Sequence, residues 1–258
     1  MVKALLTLAL AALVTTHAPG QAPPRQTSAT LSFEAASVRA NPARRDRLFR
    51  FTPEHVDIVG STLAYIVSQA YEMPIPRTVY PSSPMKELFS GEYDIHAVAG
   101  RPSTRSDLLA MLRQLLQDRF ALTVHTEPRI GPAYNLTVTR AGSRLRRSEQ
   151  TFETGPPVMG LDFLEGRGSS VGQMAFLLTA RLGRPVIDRT GLGGLYDYRL
   201  KIETLDARPG ADPKAAGEYW SESSIFTDIQ EQLGLRLEGT RAAIDHLVID
   251  RVARPRED

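Results

Sequence analysis

Three short constellations in the sequence carry side chains able to move a proton or hold a metal. Asp94 and His96 stand two apart, as do His125 and Glu127, and Asp245 adjoins His246. Side chains two apart on an extended chain share a face, so each of the first two pairs has the composition of a proton shuttle or of half a metal site. Nothing around them completes such a site. The sequence has no His-Glu-x-x-His, P-loop, Gly-x-Ser-x-Gly or EF-hand pattern. It also has no cysteine, which excludes disulfides, thiolate catalysis and cysteine-ligated metals. Same-face acid–imidazole pairs on strands are commonly exposed structural partners. The sequence therefore assigns no catalytic residue, no metal ligand and no cofactor.

Other stretches read as binding or turn chemistry. Asp188-Arg189-Thr190-Gly191-Leu192-Gly193-Gly194 is glycine-rich, but a phosphate-cradling loop opens a helix and this stretch lies between two expected strands. It reads as a turn that uses Gly191 and Gly194 for positive φ, with Asp188, Thr190 and Asp197 hydrogen-bonding across it. Tyr93-Asp94 recurs as Tyr196-Asp197, and a corner built from a packing ring and a turn-stabilising carboxylate accounts for both copies. Arg140, Arg144, Arg146 and Arg147 form a basic cluster suited to an anionic glycan, a lipid headgroup or nucleic acid, or to a solvated linker. A net charge of +2 over 258 residues gives no reason to expect nucleic acid. Trp220 precedes the last helix as either a binding aromatic or a lid anchor. The four arginines and Trp220 are the candidate binding residues.

The elements that must position these residues follow from punctuation and period. Met1-Val2-Lys3, an apolar run from Ala4 to Val14 and Ala18-Pro19-Gly20 make residues 1–20 a signal peptide. The run is too short to cross ~30 Å of hydrocarbon, and no later segment is an apolar span. Residues 21–32 are a flexible leader. Extended segments are expected at Phe33–Val38, Leu48–Thr52 and His55–Val59. Ser61 caps a helix running to about Glu72, which Pro74 and Pro76 stop. A Pro- and Ser-rich loop leads to a strand at Glu92–Val98. Ser103 or Ser106 opens a helix whose Leu108, Leu112, Leu115, Leu116 and Phe120 form a clear stripe. Strands Ala121–Thr126 and Ala133–Thr139 follow. Residues 140–168 read as a polar connection. Then a helix capped by Ser170, strands Pro185–Asp188 and Leu195–Ile202, a helix carrying Ile225 to Leu233, and strands Leu235–Glu238 and Ile244–Val252 complete the chain.

The second set repeats the first. Leu63–Val67 aligns with Met174–Leu178, Pro74 with Pro185, Gly91-Glu92-Tyr93-Asp94 with Gly194-Leu195-Tyr196-Asp197, and Leu136 with Leu247. The expected fold is α+β: two divergent repeats of a β-α-β-β-α-β unit, residues 33–139 and 169–258, packed as one body.

Several stretches resemble an exported, soil-associated bacterial family known only as a domain of unknown function. They are Phe33-Glu34-Ala35-Ala36-Ser37-Val38-Arg39-Ala40-Asn41-Pro42, Leu115-Leu116-Gln117-Asp118-Arg119-Phe120, Gly183-Arg184-Pro185-Val186-Ile187-Asp188-Arg189-Thr190-Gly191-Leu192 and Gln232-Leu233-Gly234-Leu235. Arg39-Ala40 departs from the family's lysine-proline pair. The resemblance implies export and no assigned activity, and in some relatives a fusion to an antibiotic-sensor-type membrane metallopeptidase. Each half is also similar to the short protein-binding modules of secretins and TonB-dependent receptors. The function expected is that of a periplasmic or secreted, non-catalytic binding module for an envelope protein or glycan. The rival readings are an exported hydrolase using Asp94/His96 or His125/Glu127, and a soluble sensor of cell-wall fragments.

Overall fold

A computed structural model describes residues 31–41, 47–160, 162–202 and 222–255. The expected signal peptide, nearly all of the expected leader and Trp220 lie outside the described residues. The described residues open with β1 (Ala35–Ala40), β2 (Leu48–Phe51), β3 (His55–Thr62), α1 (Leu63–Ala70), β4 (Thr78–Val79), α2 (Ser83–Phe89), β5 (Glu92–Val98), α3 (Arg105–Phe120) and β6 (Thr123–Val138). It continues with β7 (Arg146–Arg147), β8 (Val158–Met159), β9 (Phe163–Ser169), α4 (Val171–Leu182), β10 (Val186–Asp188), β11 (Tyr196–Lys201), α5 (Glu222–Asp228), a π-helical turn at Ile229–Leu233 and β12 (Leu235–Arg251). The protein is a mixed α+β fold.

Hydroxyl caps set where α1, α3 and α4 start. Thr62 Oγ1 accepts the Tyr65 amide at the head of α1, one residue after the expected Ser61. Thr104 forms a reciprocal capping box with Asp107 at the head of α3, between the two serines expected there. Ser170 accepts the Gln173 amide at the head of α4. Each cap satisfies one of the amides that a helix N-terminus leaves without an intrahelical partner.

Among the described residues the strands form three four-stranded sheets, ordered β1-β5-β3-β2, β10-β6-β12-β4 and β7-β11-β9-β8. The middle sheet is built on a long antiparallel ribbon in which β6 pairs with β12 from Val138↔Leu235 to Thr123↔Arg251. Two cores lie against it. One gathers α1, α3 and the first sheet around Phe51, Ile66, Leu112, Leu116 and Phe120, and it takes in Leu247 and Ile249 from the end of β12. The other gathers α4, the π turn and the third sheet around Met174, Leu178, Leu200 and Ile229, and it takes in Tyr134 and Leu136 from the end of β6. Each core is thus closed by the far end of a strand that starts beside the other. Truncating a fully buried residue such as Leu112 to alanine costs about 2–5 kcal/mol.

The structure corrects several sequence expectations. The two strands expected on either side of Pro128 and Pro132 are one sixteen-residue strand. The Tyr134 amide, of the same parity as both prolines, donates to Pro185 O on the side away from β12. Pro128 and Pro132 therefore sit where an N–H would face the unpaired side, and they cost the ladder nothing. Leu235–Glu238 and Ile244–Val252 are likewise one strand, β12. The Pro- and Ser-rich loop holds α2. The connection of residues 140–168 holds β7, β8 and most of β9. β9 shows little alternation because Gly166 and Gly168 occupy two positions where a side chain would stand. The Tyr198 ring covers Gly166 so closely that an added Cβ would lie 2.4 Å from it.

β3 and β9 end in the same local device. Gly60 (φ +58°) and Gly168 (φ +57°) kink their strands, and the pairing with β5 and with β11 shifts register there. Only glycine takes this conformation cheaply. Asp94 Oδ1 accepts the Gly60 amide at 2.8 Å, and Asp197 Oδ1 accepts the Gly168 amide at 2.7 Å. Before the kinks, Asp57 pairs with His96 and Ile58 with Ile95 across β3 and β5; Glu165 pairs with Arg199 and Gly166 with Tyr198 across β9 and β11.

Candidate functional site

The acid–imidazole pairs do not form a reaction centre. The Asp94 carboxylate is committed to the Gly60 amide and to Asn41 Nδ2, both at 2.8 Å. His96 turns to Asp57 instead, at 3.2 Å, and Arg50 joins the same carboxylate at 3.1 Å on an open sheet face. His125 places Nδ1 2.8 Å from Asp250 Oδ1 and Nε2 3.3 Å from Glu127 Oε1, with Arg129 3.0 Å from the same carboxylate. The Asp250 contact first, then the Glu127 contact, holds the His125 imidazole above its ordinary value of 6.5. All of these groups are about half exposed on the ribbon, where water screens the pairing. His246 Nδ1 meets the Ile244 carbonyl, and Asp245 takes part through its own carbonyl, which accepts from Arg77. Among the described residues no group of three His, Asp or Glu side chains is arranged to hold a metal.

The glycine-rich turn is held locally. Asp188 Oδ1 accepts from the Thr190 amide (2.9 Å) and hydroxyl (2.7 Å), and Thr190 Oγ1 accepts the Leu192 amide. Gly191 and Gly194 have positive φ. At Gly194 an added Cβ would lie 2.2 Å from Arg147 Nη1. Asp197, expected to bond across this turn, is not part of it: its carboxylate serves the Gly168 kink and Arg146. Tyr196 donates its hydroxyl to Gly193 O, and Tyr93 packs edge-on against Phe120 at 5.0 Å between centroids.

The basic cluster divides. Arg146 pairs with Asp197 at 3.0 Å, and the Arg147 guanidinium lies 5.5 Å from the Tyr196 ring centre. Arg140 and Arg144 turn the other way and, with Arg236 from β12, line an open concavity of about 730 Å³ together with Thr139, Gln230 and Glu231. Arg236 is remote in sequence from the cluster, and only the antiparallel register of β6 and β12 brings it there.

A second feature lies where the first and third sheets meet. The segment before β8 crosses to β2: Thr154 O accepts the Phe51 amide at 2.6 Å, and Gly155 passes so near Phe49 that a Cβ would stand 2.7 Å from its carbonyl oxygen. Glu153, 7% exposed, sits at this crossing. Its Oε1 accepts the Ser170 amide and hydroxyl at 2.8 and 3.0 Å, and its Oε2 lies 2.9 Å from Arg105 Nε, off the line of a hydrogen bond and so as an ion-pair contact. The Arg105 guanidinium also covers the Phe51 ring at 4.8 Å. This bracing leaves a groove of about 480 Å³ along the seam. Leu48, Phe49, Pro156, Pro157, Val158 and Phe163 supply apolar walls, and Arg50, Glu165 and Arg167 supply a charged margin. Val158 is 62% exposed and Leu48 38%. Beyond Leu48 and Phe49 lies a smaller pocket of about 410 Å³ beside Gly60, Ser61, Tyr65 and Ile75. Burial pushes the Tyr65 phenol up to about 12, so it stays a neutral hydroxyl.

Sequence reading missed the seam because its residues are scattered from β2 to β9. The one local signal was Gly155-Pro156-Pro157, a stretch unable to continue a regular strand ladder.

Fold and surfaces together define an α+β protein with an apolar seam groove and an arginine-lined concavity. Residues 64–252 match the family described as Protein of unknown function (DUF3738), and the chain belongs to that family. No curated protein and no solved structure matches it.

Proposed function

We propose that the chain is an exported, non-catalytic binding module, made by duplication of one helix-and-strand unit, that receives an extended segment of an envelope protein in the groove between its halves. The observation that carries the binding role is the seam. Large apolar side chains are left open to solvent there, while buried charge and backbone bonds fix the walls. A preformed apolar groove with a few charges at its margin is what a peptide side-chain series needs for affinity and register.

Duplication is supported by the agreement in sheet order between β1-β5-β3-β2 and β7-β11-β9-β8. It is supported again by the matched glycine kinks with their aspartates, and by the reciprocal pairing in which β4 joins β12 while β10 joins β6. The likeness of each half to protein-binding modules of secretins and TonB-dependent receptors favours a protein as the partner. The hydrolase reading loses support from the acid–imidazole pairs, which stand on open strand faces rather than in a shared cleft. Export rests on the N-terminal sequence.

The test compares wild-type chain with Val158→Glu and Leu48→Glu as baits in envelope extract. The expected result is a partner held by wild type and lost from both variants at unchanged melting temperature, with the mature N-terminus beginning near Gln21. Equal recovery by all three, or an uncleaved chain in the cytoplasm, would overturn the proposal.

A further inference from the structure

We infer that the concavity lined by Arg140, Arg144 and Arg236 is a binding site for a phosphoryl group. It shares no residue with the seam groove and stands independently of it. Three guanidiniums line the concavity with one carboxylate residue, Glu231, and Glu238 stands beside Arg236. The guanidiniums are held in different ways, and the difference matters. Arg144 donates to the Glu231 carbonyl oxygen in the middle of the π turn, which anchors its side chain with donors to spare. Among the described residues the Arg236 guanidinium is tied only to Glu238, at 3.1 Å, and both partners are well exposed. Such a pair is worth little in water and yields readily to a stronger anion. Arg140 has no carboxylate partner among the described residues. One anchored fork and two recruitable ones suit a tetrahedral dianion with three terminal oxygens, which planar guanidiniums grip in bidentate fashion.

The other arginine-rich face lacks this property. Arg146 is met by Asp197, and Arg167 and Arg199 are both met by Glu165, at 2.5–3.0 Å. Its positive charge is already answered within the fold. Both faces set three guanidiniums against two carboxylates, but among the described residues Arg140 and Arg144 have no carboxylate partner, and about 730 Å³ accommodates the phosphoryl group together with the sugar or glycerol that carries it.

The experiment titrates the full mature chain with inorganic phosphate by calorimetry at fixed ionic strength. In parallel, the chain is floated with phosphatidylcholine vesicles with and without phosphatidic acid. Both arms are repeated on Arg140→Ala/Arg236→Ala and on the charge-matched control Arg146→Ala/Arg167→Ala. Binding of phosphate, or of phosphatidic acid vesicles alone, that weakens roughly tenfold or more in the first variant and holds in the control supports the site. The arm that responds tells a free phosphate from a lipid-borne one. Absence of binding in both arms, equal binding by the first variant, or equal loss in both variants would overturn it, the last by reducing the effect to bulk charge.

Discussion

Arg105 Nε stands 2.9 Å from Glu153 Oε2, and through that contact the first turn of α3 is tied to the N-cap of α4. The two side chains are 13% and 8% exposed, so neither charge has water to fall back on. Glu153→Ala leaves Arg105 buried without a counter-charge and removes the acceptor for Ser170, a loss of about 3–5 kcal/mol. Replacing both partners, as Arg105→Leu/Glu153→Leu, removes the charge with its penalty and falls much nearer to wild type. Urea unfolding of the two variants reads this difference directly.

Asp94→Ala and Asp197→Ala each strand the amide of a kinked glycine, at an expected cost of about 1–3 kcal/mol. The two kinks lie in different sheets, so the double variant should show nearly the sum. Asp197 adds a pH signature. Hydrogen bonds from the Ser148 hydroxyl and then the Gly168 amide hold its carboxyl below the ordinary 3.8. A depressed folded value gives stability that is complete above the unfolded value and lost as pH falls through the folded one. The Asp197→Ala deficit measured near neutrality should therefore shrink under acid below 3.8.

α3 ends at Ala121 (φ +49°), and the π turn ends at Gly234 (φ +65°), both left-handed. At Gly234 a Cβ would lie 2.2 Å from Gly142 O, whereas Ala121 carries its Cβ already. Gly234→Ala should cost more than the ~1–2 kcal/mol of a left-handed alanine alone. Ala121→Gly should be neutral to stabilising, by at most about 1 kcal/mol. Melting temperatures that moved in the opposite directions would contradict these cap geometries.

His125 should titrate above 6.5, because Asp250 and then Glu127 favour its charged form. A raised folded value means that this contribution to stability is present below the unfolded value and lost as pH rises through the folded one. Imidazole resonances followed by NMR should show the raised midpoint in wild type and a fall toward 6.5 in Asp250→Asn. A midpoint unmoved by that change would show that the contact does not form in solution.

The stripe of Leu108, Leu112, Leu115, Leu116 and Phe120 was legible because a helix advertises its buried face in its own period. The strand Glu92–Val98 matched its sequence reading for the analogous reason. β9 was not legible, since Gly166 under Tyr198 and Gly168 beside Gln150 erase alternation. The continuity of β6 was hidden by prolines whose harmlessness depends on which side the partner strand lies. Aligning the halves on Pro74 and Pro185 sets Leu63 against Met174, while the caps Thr62 and Ser170 set it against Val171; α4 is the longer helix, and the two frames differ by about a turn. The candidate arginines were visible as a cluster, but their division into Arg140 and Arg144 on one side and Arg146 and Arg147 on the other goes with contacts to Asp197, Tyr196 and the Glu231 carbonyl that sequence order does not reveal. The seam was invisible for the same reason.

The most direct measurement places a photoreactive amino acid at Val158, in the seam, and separately at Ile130, which is 77% exposed on the ribbon and lines no part of the groove. After irradiation of the chain in intact cells, a discrete higher-mass adduct at Val158 and none at Ile130 is the expected result. No adduct at Val158, or the same adduct from both positions, would contradict a partner seated between the halves.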